Sequence, residues 1–104
     1  MSAYWITFRI DDSSIGGRSY DKRYLALQDA VQSSASKWWV ESTSFIAFEA
    51  IADIAVLARA FKTAIAPSHD LFLIRQMDTQ SAIICGKVND KDIFNLMPYL
   101  KVLE

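Results

Sequence analysis

The sequence is short of the residues that cross-link or punctuate a chain. A single cysteine, Cys85, among 104 residues excludes an intramolecular disulfide. It stands in the apolar run Ala82-Ile83-Ile84-Cys85, where a thiol behaves as a small hydrophobe and is expected to be buried. Three Gly and two Pro leave no composition for an internal linker or a low-complexity segment. No apolar run approaches the roughly 20 residues that span a bilayer, and no charged-then-apolar leader opens the chain. A cytoplasmic protein with no membrane partner is the expectation. The one histidine, His69, follows Pro67 at a helix-to-strand corner, without the positioned partner and pocket that general-base work requires. An excess of one charge is lacking too: eleven basic side chains face twelve acidic ones. That balance excludes binding nucleic acid through a broad positive field and leaves only a local basic patch open.

What the chain does have is apolar bulk. A hydrophobic fraction of 52%, with three Trp, four Tyr and six Phe, is far from a disordered composition. The length fits one domain spanning 1–104. A domain this small has a high surface-to-volume ratio, so this much aromatic surface predicts an apolar interface.

Residues Ala3 to Asp11 alternate, with Tyr4, Ile6, Phe8 and Ile10 on one face and Trp5, Thr7, Arg9 and Asp11 on the other, which predicts a strand. The turn formers Asp12 to Arg18 follow. Ser19 is then placed to cap a helix running to about Ser34, with Tyr20, Tyr24, Leu27 and Val31 on one stripe. Trp38 to Glu49 reads as one long strand, bulged or bent at Glu41-Ser42-Thr43-Ser44. The stripe Ile54, Leu57, Ala58, Phe61, Ile65 predicts a second helix with Asp53 in its first turn and Pro67 past its end. Leu71–Arg75 and Ala82–Cys85 read as a strand pair joined through Gln76–Gln80. Asn89 is placed to cap a short helix bearing Ile93, Phe94, Leu96, Met97 and Leu100, which Pro98 kinks or ends.

The element order β-α-β-α-β-β predicts an α+β, ferredoxin-like antiparallel sheet, with two helices on one face and a short C-terminal helix. On the opposite face Trp5, Thr7 and Arg9 join half of each apolar run in the later strands, and such a face calls for a cover. A second copy is the expected cover, making Trp5, Thr7 and Arg9 a dimer interface; a lid formed by the C-terminal segment is the alternative.

Several residues invite a chemical role. Arg18, Lys22 and Arg23, interleaved with Tyr20 and Tyr24, form a basic cluster able to meet phosphates, or a solvated helix end. Of Trp38 and Trp39, adjacent on a strand and so facing opposite ways, one is expected in the core and the other at the dimer interface. Asp11 and Asp12 are the acidic candidates for a metal site, or turn acids that bond their own backbone. The serines have no nucleophile-elbow context, and Gly16-Gly17 alone does not cradle a phosphate.

The opening strand Tyr4-Trp5-Ile6-Thr7-Phe8, the helix Tyr20 to Val31, and Lys37-Trp38-Trp39-Val40-Glu41-Ser42-Thr43-Ser44-Phe45 together resemble the small SinR-like proteins. Those are similar to the ferredoxin-like nucleases of CRISPR adaptation. The resemblance covers about the first three quarters of the chain. It implies a ferredoxin-like homodimer and, in relatives with an aspartate at the end of the first strand, Mg²⁺-dependent nuclease activity. Here Arg9 occupies that position, and a guanidinium repels a metal ion instead of ligating it. The expectation is therefore a non-catalytic homodimer without cofactor, binding nucleic acid or a protein partner. The alternatives are a Mg²⁺-dependent nuclease using Asp11 and Asp12 across a dimer axis, and a regulatory subunit that docks its apolar face on another protein.

Overall fold

The computed structural model describes residues 1–104 and begins with the central strand of the sheet. In β1, Ser2–Arg9, the buried residues Tyr4, Ile6 and Phe8 turn to one face and Trp5, Thr7 and Arg9 to the other. Helix α1, Tyr20–Ser34, starts where expected, because the Ser19 hydroxyl accepts the Lys22 backbone N–H at 3.2 Å. Its inward stripe is Arg23, Leu27 and Val31, all buried. In helix α2, Ile54–Lys62, Asp53 is the cap and not a first-turn acid, its carboxylate accepting the Val56 N–H at 3.0 Å. Leu57, Ala58 and Phe61 are buried beneath it.

The long second strand of the sequence reading is two strands. β2, Lys37–Ser42, and β3, Phe45–Ala50, form an antiparallel hairpin that reverses at Thr43-Ser44. The polar stretch from Glu41 to Ser44 has no apolar anchor on either face, so the chain turns back instead of merely bending. β4, Leu71–Gln76, and β5, Ser81–Gly86, make the expected hairpin. The last helix shrinks to one turn, α3, Ile93–Leu96. Asn89 does not cap it; the Asp90 carboxylate instead accepts the Asp92 N–H at 3.0 Å. Leu100, expected on that helix, opens a further strand, β6, Leu100–Leu103, parallel to β5. Pro98 lies between the two elements and stops the helix.

All six strands join one sheet in the order β2-β3-β1-β4-β5-β6. Splitting the second strand turns the early part of the chain into β-α-β-β-α-β, with β1 antiparallel to both β3 and β4. This is the ferredoxin-like α+β arrangement, and β5, α3 and β6 extend it. Between the helices and the sheet lies a core of eighteen buried residues, including Ile6, Leu27, Ile46, Phe61, Phe72 and Ile74. The other face is covered only over β4 and β5, where Leu73, Ala82 and Ile84 are buried under Ile93, Phe94, Met97 and Tyr99 of the C-terminal segment. The lid alternative thus describes half of that face. No helix is long and apolar enough to cross a membrane.

Candidate functional site

The uncovered half of the sheet carries a row of aromatic rings. Trp5 of β1 and Trp39 of β2 both stand opposite Ala47 of β3, one from each side, while Phe45 pairs with Thr7. Opposed residues of an antiparallel pair share a face, so these five side chains lie together. The Trp5 and Phe45 rings stack with centroids 5.9 Å apart, and Trp39 meets Phe45 edge-on at 6.3 Å. Trp39 remains 50% exposed. Beside the row, Lys37 and Glu49 oppose each other in register. Ala3, Lys37, Trp39 and Met77 border a shallow depression of about 410 Å³.

Neither tryptophan of the Trp38-Trp39 pair fills the core. Trp38 shares the helix-side face with its partner Phe48, yet it is 48% exposed. The reason is its strand: β2 is the sheet edge, and none of the residues packed around the eighteen-residue core is Trp38.

At the other end of β1, the basic cluster of the sequence reading comes apart. Arg23 is fully buried and ion-pairs with Asp70, Nε to Oδ2, at 2.9 Å. Its remaining N–H groups donate to Asp70 Oδ1 and to the carbonyls of Asp11, Ser13 and Arg18. All five guanidinium donors are thereby used, so Arg23 is not available to a phosphate. Arg18 donates to the carbonyls of Thr63, Ala64 and Ile65, capping the end of α2. Lys22 alone of the three extends into solvent with no side-chain partner in the fold.

Asp70 was not singled out in the sequence, and it is the hub of this end of the molecule. Besides Arg23 it accepts the backbone N–H groups of Asp11 and Ala66, each at 2.8 Å. Its own carbonyl accepts the Lys87 N–H at 2.8 Å. Four chain segments therefore meet on one residue.

No family model, curated protein or solved structure matches the chain. The Asp11 carboxylate accepts the Ser13 N–H at 3.0 Å, closing an Asx turn. That backbone bond, with smaller help from nearby His69 and Arg23, holds its carboxyl below the ordinary value of 3.8. Asp12 is exposed, and exposed His69 shares a 2.7 Å hydrogen bond with Ser68. No group of three or more His, Cys, Asp or Glu side chains is placed so that it could hold a metal ion. Arg9 lies at the margin of the open face, where its Nη2 donates to the Lys87 carbonyl at 2.8 Å. Cys85 is buried, and desolvation pushes its thiol up from the ordinary value.

Proposed function

We propose that this chain is a non-catalytic binding protein that works as a homodimer joined through the open half of its sheet. The observation that carries the proposal is the Trp5-Phe45-Trp39 row, whose outer ring Trp39 is half-exposed while Trp5 and Phe45 are only partly buried, beside a half-face that the C-terminal segment already covers. A two-fold interface needs a self-complementary surface. This face offers an apolar centre with one cation and one anion, Lys37 and Glu49, at the same edge, so two copies can pair opposite charges across the axis. Thr7 lies within the same face, and Arg9 borders it.

Binding is favoured over catalysis by Arg9, whose guanidinium stands where the resemblance to SinR-like proteins places a metal-binding aspartate, and by Asp11, whose carboxylate is engaged with the Ser13 N–H. Sedimentation equilibrium tests the dimer. Trp39 is half exposed, and covering roughly 100 Å² of ring at ~25 cal/mol per Å² amounts to about 2.5 kcal/mol per copy. With both copies altered, Trp39→Ala should therefore weaken self-association by roughly three orders of magnitude. A chain that stays monomeric at micromolar concentration, or a dimer indifferent to Trp39→Ala, overturns the assignment. Incubation with Mg²⁺ or Mn²⁺ and RNA or DNA tests the non-catalytic part: cleavage that disappears in Asp11→Ala refutes it.

A further inference from the structure

A second concavity lies between the sheet and the C-terminal segment, on the lid side of Thr7. It encloses about 320 Å³, at the small end of the ~300–1,000 Å³ usual for ligand pockets. Its floor is apolar and branched, formed by Leu73 and Ile84 of the sheet and by Ile93 of α3. Two opposite charges line it as well, Arg9 and Asp90. They do not pair with each other, because the only ion pair within 4.0 Å in the chain is that of Arg23 and Asp70.

Each of these charges is held in place by the backbone and still has capacity to spare. Arg9 spends one Nη2 hydrogen on the Lys87 carbonyl, leaving Nε and Nη1 without a protein partner. The Asp90 Oδ1 accepts the Asp92 N–H, leaving Oδ2 without one. A cavity with an apolar floor, a fixed guanidinium on one wall and a fixed carboxylate on another matches a molecule that carries an anion, a cation and a short hydrocarbon together. We infer that this cavity binds a free α-amino acid with a branched aliphatic side chain. Its carboxylate meets Arg9 in a charge-assisted hydrogen bond, its ammonium meets Asp90 Oδ2, and its side chain rests on Leu73, Ile84 and Ile93. The inference does not depend on self-association, since the cavity is complete within one chain.

Isothermal titration of the full chain with L-leucine, isocaproate and isoamylamine tests it, the last two lacking the ammonium and the carboxylate respectively. Leucine should bind saturably and roughly three- to fivefold more tightly than either analogue, the worth of one charge-assisted bond to an exposed partner. Arg9→Gln and Asp90→Asn should each cost a similar factor. Asp90→Asn keeps an acceptor for the Asp92 N–H, and Arg9→Gln gives up a single bond at the exposed surface, so near-unchanged thermal melting is expected for both. No saturable leucine binding at millimolar concentration overturns the proposal. So does equal binding of isocaproate, which indicates a plain anion site, or leucine binding that survives both substitutions.

Discussion

Replacing Arg23 with methionine is the severest single test of how this fold is held. The side chain is fully buried, and methionine fills similar volume without a charge. Two things are lost. Asp70 keeps the N–H groups of Asp11 and Ala66 but becomes a buried anion with no counter-charge, and the carbonyls of Asp11 and Ser13 lose their donor, while that of Arg18 keeps the Ile15 N–H. Removing one partner of a buried pair costs about 3–5 kcal/mol. The whole stability expected for a domain of this length is about 5–15 kcal/mol. Arg23→Met should therefore remove about a fifth of it or more. With a urea slope of roughly 1.5 kcal/mol per molar, the unfolding midpoint should fall by about 2–3 M. Far-UV circular dichroism and tryptophan emission, followed together in urea, measure this. The double variant Arg23→Met/Asp70→Asn removes the stranded anion while keeping an acceptor oxygen for the backbone N–H groups at this site, and should recover part of the loss, revealing a coupling between the two sites. A loss below about 1 kcal/mol in Arg23→Met, or a double variant no better than the single, refutes the reasoning that this pair secures the end of the sheet.

Three further outcomes follow from the same packing. Gly86 has φ of 113° and a β-carbon there would lie 2.0 Å from the Asp70 carbonyl oxygen; Gly86→Ala should cost about 3 kcal/mol or more, read from the thermal melting curve. Cys85, buried with its thiol pushed up by desolvation, should not react with a thiol-specific disulfide reagent at pH 8 until the protein is unfolded by denaturant. Asp11 has a folded value depressed below 3.8, so its contribution to stability is present above that pH and is lost as pH falls through the folded value. The gap in urea midpoint between wild type and Asp11→Ala should accordingly be constant near neutrality and close progressively below pH 3.8.

Local patterns made much of this architecture legible. The alternation of Tyr4, Ile6 and Phe8, the Ser19 cap and the Leu57-Ala58-Phe61 stripe each record a strong one-sided burial, and each appears where the pattern predicts. β2 was read as the first part of one longer strand because an edge strand exposed on both faces, with only Val40 half-buried between Trp39 and Glu41, carries no alternation to mark its end. β6 was hidden because four residues beyond a proline continue the apolar spacing of the preceding helix turn. The open aromatic face was half foreseen through Trp5 and Thr7, but Phe45 entered it only once the hairpin supplied its own strand. Arg23 was misplaced among solvent-facing cations although it stands four and eight residues before Leu27 and Val31, on the buried stripe of α1. That spacing was the available signal. Its partner Asp70 lies 47 positions away, and no local pattern connects them.

β2 ends the sheet on one side. As the sheet's outermost strand on that side it offers its unshared backbone groups to any passing chain. Its central residues, Trp38-Trp39-Val40, combine bulk with strong extended-chain preference, the kind of segment on which cross-β stacking begins. Lys37 and Glu41 bracket those three residues, one charge at each end. They act as gatekeepers: stacked copies in register would set like charges against each other along the growing array. This exposed aromatic stretch can thus stay at the rim of the sheet without becoming a seed for aggregation.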